Sequence, residues 1–312
     1  MRVAQALIPH PQHEAPAELI VDCRCVLGES ILWHRGQELL LWTDIQSSRL
    51  WMHSPSGKQT HYWSLPDRLG CLAFCESGKL LFGLAKGLYL AELDFYSTDA
   101  PRLTPLAPVE AEEPRTRIND GRCDRAGNFV FGTLSEDATR ARIGSFYQYS
   151  AQHGLRRLDL GPVAVPNSLC FSPDGGTLYY CDSHLPRILC CDYQADAARV
   201  CNWRTFAELD GEHGSADGST VDAAGYLWNA QWGASRIVRY TPQGAIDRVV
   251  TVPAKHPSCV TFGGAHLDQL YITTARLDLT SGELEHLPES GGVYGWMAAN
   301  LRGLPENEVR FL

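Results

Sequence analysis

The chain has 312 residues, 20% of them charged, 44% hydrophobic and 10% aromatic, which is the make-up of a folded globular protein and not of a disordered or fibrous one. A formal net charge of -9, with no run of Lys and Arg, excludes a nucleic-acid partner bound through its phosphates. No stretch approaches the roughly 20 apolar residues of a membrane span, and the apolar opening ends at Pro9 and His10, too early for a signal-peptide core, so a cytoplasmic protein is expected.

Helical periodicity is nearly absent, whereas short alternating runs bounded by Gly, Asp, Asn and Pro recur from end to end. In chain order, residues 18–25 read as a strand, and residues 29–44 as a strand, a turn and a second strand closing on Asp44. Residues 48–53 follow as a third strand. The plan repeats at residues 70–82 with 87–91, and Pro101 to Pro114 is the most loop-like stretch. It returns at 119–130 with 144–149, and at 167–182 with 186–192, where Asp182 stands at the same offset from Asn167 as Asp44 does from Glu29. Residues 217–228 with 235–240, and 257–264, complete the set. The leading residues, at 29, 70, 119, 167, 217 and 257, are separated by steps of 41, 49, 48, 50 and 40. Such steps suit four strands of about 5–6 residues with short turns, the size of a propeller blade. Residues 1–312 are therefore expected to form one domain, an all-β six-bladed β-propeller, its seam completed by residues 18–25 and 291–296. A solenoid would also repeat, but the capping ends it needs are not found.

The cysteines number 11, an odd count, and are scattered without paired Cys-x-x-Cys spacing, so buried, reduced thiols are expected. Strand alternation sends the vicinal Cys190 and Cys191 to opposite sheet faces.

In a propeller the innermost strands line the central channel, so the leading residues Glu29, Gly70, Asn119, Asn167, Asp217 and Pro257 should converge there. Glu29, Asn167 and Asp217, with Asn119 at the same level, offer only oxygen ligands of hard-cation type. One divalent cation is expected, with Ca2+, Mg2+ or Mn2+ fitting and Zn2+ possible with added water ligands. The competing account makes these residues ordinary turn formers ahead of strands; matching positions in four blades favour the site. Asp44 and Asp182 also match one another, but lie at the end of the second strand, where a hairpin-stabilising hydrogen bond is the simpler role. Arg117 and Asn119, two apart on one strand, face the same way and could bind one polar ligand together, unless Arg117 is a surface residue. Asp137, after the next strand, is either an acceptor for sugar hydroxyls or a solvated loop acid. His184, His213 and His256 stand near blade ends, as candidate bases or as exposed histidines. There is no Gly-x-Ser-x-Gly elbow, phosphate loop or dinucleotide fingerprint.

The segments Leu27-Gly28-Glu29-Ser30, Arg117-Ile118-Asn119-Asp120-Gly121, Gly132-Thr133-Leu134, Pro166-Asn167-Ser168-Leu169, Asp217-Gly218-Ser219-Thr220 and Cys259-Val260-Thr261-Phe262, in this order and spacing, resemble the gluconolactonase family that includes regucalcin. The resemblance implies a six-bladed propeller with a divalent metal on Glu29, Asn167 and Asp217, and with Asp217 as acid/base. It implies substrate contacts at Arg117, Asn119 and Asp137, the last an Asp where regucalcin has the longer Glu. The implied activity is hydrolysis of sugar lactones to aldonic acids. A cation so held keeps positions open for water and for a carbonyl oxygen, as Lewis-acid hydrolysis requires. The alternatives are a propeller esterase or organophosphate hydrolase with an apolar pocket, and a non-catalytic Ca2+-binding or protein-binding propeller, since a fold alone does not fix a function. The sequence leaves the oligomeric state open.

Overall fold

Runs such as Leu39–Asp44 and Leu80–Leu84 are buried at every position, while Gln59–Ser64 buries only Trp63 fully. A sheet with one buried edge and one wet edge must stand radially, its first strands in the interior and its last at the rim. In the computed structural model, which describes residues 12–211 and 214–310, the strands form six such sheets. Their inner strands are Gly28–His34, Leu69–Cys75, Thr116–Cys123, Pro166–Phe171, Ser215–Val221 and His256–Gly263. Each packs on the next and the last returns to the first, closing a six-bladed β-propeller. The seam closes as expected: Glu18–Val21 pairs antiparallel with Val293–Met297 as the outermost strand of blade six. Among the described residues the one α-helix is Ser281–His286, and no helix is long and apolar enough to cross a membrane.

One expectation is corrected. Within the stretch read as a loop, Arg102–Pro108 forms the outer strand of blade two, paired with Gly87–Glu92. Proline is tolerated on an edge strand, because its missing N–H faces no further partner, and the ladder shifts register between Pro105 and Ala107.

Apolar side chains fill the seams between blades. Leu41 and Trp63 of blade one meet Leu72 and Phe82 of blade two, and Phe129 and Phe131 of blade three meet Cys71 and Leu81. Cys190 packs with Val238 towards blade five and Cys191 with Phe146 towards blade three, so alternation does place them on opposite faces. All 11 cysteines are free thiols, and only Cys23 and Cys201 are not fully buried.

Every inner strand slips register near its start, between Glu29 and Leu32, Leu69 and Cys71, Ile118 and Gly121, Asn167 and Cys170, Ala216 and Ser219, and Pro257 and Cys259. A bulge re-aims the side chains around it. Here it frees one residue for the channel and sends its successor to the next blade. Ser30 Oγ accepts from the Leu72 amide at 3.2 Å, Asp120 Oδ2 accepts from the Leu169 amide at 2.9 Å, and Ser168 Oγ donates to the Asp217 carbonyl at 2.6 Å. Ser258 Oγ donates to the Gly28 carbonyl across the seam. At the two remaining junctions the backbones themselves close up: a Cβ on Gly70 would lie 2.5 Å from the Ile118 carbonyl oxygen, and one on Gly218 2.8 Å from that of Ser258. The six strand heads are thus laced into a ring.

The C-terminal segment crosses the end of the channel where the inner strands finish. Gly303 bridges to Asp222, Glu306 accepts from Thr261 Oγ1 at 2.9 Å and pairs with Arg122 at 3.2 Å, and Asn307 Nδ2 donates to the Cys123 carbonyl. Glu308–Val309 then adds in parallel to Phe74–Cys75 of blade two.

Candidate active site

At the opposite end, where the inner strands begin, a cavity of 340 Å³ opens. It falls in the range of roughly 300–1,000 Å³ common for small-molecule sites. Glu29, Asn167 and Asp217 all line it, with Arg117 and Asn119 beside them, and all five are buried. Their hydrogen bonds form a chain. Ser183 Oγ accepts from Asn167 Nδ2 at 2.8 Å, which fixes the amide so that Asn167 Oδ1 accepts from Asn119 Nδ2 at 3.1 Å. Asn119 Oδ1 accepts in turn from Arg117 Nη1 at 3.0 Å.

The Glu29 and Asp217 carboxyls are within hydrogen-bonding reach of one another, and Glu29 Oε2 accepts from the Ser30 amide at 3.0 Å. Burial, then the neighbouring Asp120, raises the Glu29 pKa above the usual carboxylate range, with Arg117 offsetting this only in part. Burial, then Glu29 and Asp120, pushes Asp217 up further. Two acids facing each other out of water need a shared proton or a cation between them. Two carboxylates and an amide oxygen are the donor set of a hard divalent ion, and these residues fit one. Among the described residues no group of three or more His, Cys, Asp and Glu side chains gathers as a metal cluster; the third donor here is the amide of Asn167.

Arg117 has a pKa lowered to about 10 by burial and then by Arg68 and Arg140 nearby. Its Nε lies 3.8 Å from Glu136, which Arg68 grips with both terminal nitrogens. Asp137 is placed differently from the sequence expectation: its carboxylate accepts from the Thr139 amide at 2.8 Å and from Thr139 Oγ1 at 2.6 Å, within its own loop, and does not line the cavity. The strand Phe129–Ser135 stops just before this pair, so alternation no longer decides which acid points inward, and the pull of Arg68 selects Glu136. Of the three histidines, His184 lines the cavity, His256 lies behind the cavity residue Trp232, and His213 lies outside the described residues.

Asp44 and Asp182 hold hairpins, as their register suggested. Asp44 accepts from the amides of Val26 and Leu27, and Asp182 from those of Ala164 and Val165. Each pins the chain as it enters an inner strand, and so sets the approach of Glu29 or Asn167. Sequence reasoning passed over Glu136 and the apolar part of the lining, Leu27, Leu134, Val165, Trp232 and Leu277. One signal was available for Trp232: it stands fifteen residues past Asp217, the offset that carries Asp44 and Asp182 in blades one and four.

A family model described as the SMP-30/Gluconolactonase/LRE-like region matches residues 27–276, which enclose every cavity residue except Leu277 and Asp278. The chain belongs to this family. It is 41% identical over 305 residues to an L-arabinolactonase of Azospirillum brasilense, across 95% of this chain and 98% of that protein. A 6-deoxy-6-sulfogluconolactonase of Pseudomonas putida is 34% identical over 271 residues, across 86% of this chain and 90% of its own. Among solved structures, a calcium-binding protein, regucalcin, of Agrobacterium tumefaciens superposes with a TM-score of 0.88 at 26% identity, covering 97% of this chain and 100% of that one.

Proposed function

We propose that this protein hydrolyses an aldonolactone to its aldonic acid, with one divalent cation held by Glu29, Asn167 and Asp217. The observation that carries this reading is the chain of contacts joining Arg117 and Asn119 to Asn167, which sets hydroxyl-binding groups beside an oxygen donor set suited to a cation. The near full-length likeness to an L-arabinolactonase supports the same class of substrate. When bound, a cation supplies Lewis-acid stabilisation of the negative charge that develops on the lactone carbonyl oxygen.

The chain's own residues do the rest. Arg117 donates to a hydroxyl of the lactone, Asn119, whose amide N–H groups are held by the Pro166 carbonyl and Asn167, accepts from one through Oδ1, and Glu136, which lines the cavity where Asp137 does not, accepts from another. Water adds to the carbonyl carbon, and the Asp217 carboxylate takes its proton. The ring C–O bond then breaks, the ring oxygen leaves as a hydroxyl after taking that proton, and the product is the open-chain acid. A polar wall of this kind suits a sugar better than the apolar ester of an esterase or organophosphate hydrolase.

The test is acid release from a panel of aldonolactones and of plain and aryl esters, with and without a chelator. Chelator-sensitive release from aldonolactones is expected. Preference for apolar esters would replace the reading with an esterase, and no turnover on any panel member would leave a binding protein.

A further inference from the structure

The cavity is two-sided. Blade three supplies Arg117 and Asn119, with the apolar Leu134 beside them, whereas Leu27, Trp232 and Leu277, with the polar Asp278 beside them, come from blades one, five and six. Trp232 ends the second strand of blade five, Leu227–Trp232, and packs with Leu277 on the buried cluster of Leu27, Ile45 and Ala275. Its ring lies flat on that of His256, with centroids 4.3 Å apart and planes inclined by 13°. His256 is buried, and its Nδ1 makes no hydrogen bond. Burial, then the neighbouring Lys255, brings the His256 pKa down to about 4, so the stack joins two uncharged rings at neutral pH. The imidazole serves as a flat backing. With one face so covered, Trp232 lines the cavity and stays partly exposed.

A sugar lactone has the same two-sidedness. Its hydroxyls need donors and acceptors, while its ring C–H bonds, polarised by neighbouring oxygens, are drawn to the negative face of an aromatic ring. We infer that Trp232 is the platform on which the C–H face of the lactone ring lies, with His256 fixing its angle, opposite the hydroxyl-binding Arg117 and Asn119. This inference takes its ligand class from the lactonase reading. Held between the two walls, the ring presents its carbonyl to Glu29, Asn167 and Asp217. Trp232 is then a specificity-determining residue and His256 a positioning one.

The experiment pairs kinetics on aldono-1,4-lactones with binding of a 1,4-anhydroalditol, which has the ring but no bond to hydrolyse, followed by ligand-observed NMR. Wild-type protein should saturate the anhydroalditol ring protons and shift them upfield. Trp232→Ala should lose that shift and raise KM and the anhydroalditol Kd by about tenfold, the upper end of what an aromatic face contributes, with kcat changed less than about twofold. Trp232→Phe should recover most of the affinity, which separates loss of the platform from loss of the fold. His256→Leu should raise KM by about threefold and His256→Phe should restore it. If wild type turns over lactones while Trp232→Ala and Trp232→Phe keep its KM and ring-proton signals, the platform falls and the lactonase reading stands. If wild type hydrolyses no lactone but binds the anhydroalditol through Trp232, the platform stands and the lactonase reading falls. An anhydroalditol that does not bind wild type overturns the platform.

Discussion

Asn119 donates from Nδ2 to Oδ1 of Asn167 at 3.1 Å, so a residue that faces the cavity's polar wall also orients a donor oxygen of the proposed cation site. Arg117 lies one step further out on the same chain of contacts.

Arg117→Ala should therefore cut kcat/KM for hydroxylated lactones by about 10- to 100-fold, the value of hydrogen bonds from a charged donor, while metal affinity stays near wild type. Asn119→Ala should lower both. Calorimetric titration with Mn2+ alongside kinetics separates the two cases. If Arg117→Ala loses as much on lactones without ring hydroxyls as on sugars, Arg117 does not read the sugar.

Asp217→Asn keeps an oxygen able to touch a cation but removes the charge and the proton acceptor. Metal binding should weaken, and turnover at saturating metal should still fall by at least about 10²-fold, the low end of a general acid–base contribution. Stripped of metal, the variant should melt no lower than wild type, because it removes one of two buried carboxylates that face each other. Turnover titrated against Mn2+ to its plateau decides the point: recovery to the wild-type rate would reduce Asp217 to a ligand alone.

The pH dependence of stability carries a signature of His256. Its pKa of about 4 in the folded chain lies below the ordinary value near 6.5. The unfolded chain therefore takes up a proton first as pH falls, and the stability contributed by the neutral ring, full above about pH 6.5, is lost progressively down to about pH 4. Lys255 opposes protonation, while Glu283 and Asp278 favour it. His256→Phe should accordingly lose less in melting temperature than wild type between pH 7 and pH 5. Parallel curves would contradict the buried neutral imidazole.

Far from the cavity, Asp222 accepts from the amides of Ala224 and Tyr226, from Trp228 Nε1, and from Arg239 Nε and Nη2. Asp222→Ala would leave the buried Arg239 guanidinium with Asp247 as its remaining acidic partner and should cost about 3 kcal/mol, the low end of the penalty for breaking a buried pair. Chemical denaturation measures the loss. The kinetic constants of the folded fraction should not move, since Asp222 sits at the tail-covered end of the channel.

The blades were legible because each hairpin obeys the same local rules: alternation, a Gly- or Asp-bearing turn, and a return strand. The converging acids and amides were legible for the same reason, since equivalent strand positions in a closed ring must meet. What escaped lay where those rules lapse. Asp137 and Glu136 follow the end of their strand, so the long-range contact with Arg68 chooses between them, and nothing local reveals it. The outer strand of blade two was hidden by Pro105 and Pro108, which break the strand signal in sequence but are tolerated on a wet edge, where the ladder slips past Pro105. Trp232 was passed over because it departs from the aspartate found at its offset in two other blades, and a departure from a repeat is easier to miss than agreement with it.

The C-terminal segment, bonded to blades two, three, five and six, changes the topology of access as well as the stability of the ring. An uncapped propeller is a tube with two openings; among the described residues, the tail covers one end of this one and the cavity has its mouth at the other. On the proposed reaction, substrate and product must use that mouth in turn. The product is also the more strongly held passenger, because ring opening converts a neutral lactone into an anion that must leave past Arg117 and Arg140. Where the guanidinium attraction holds the acid back, salt, which screens it, should quicken departure.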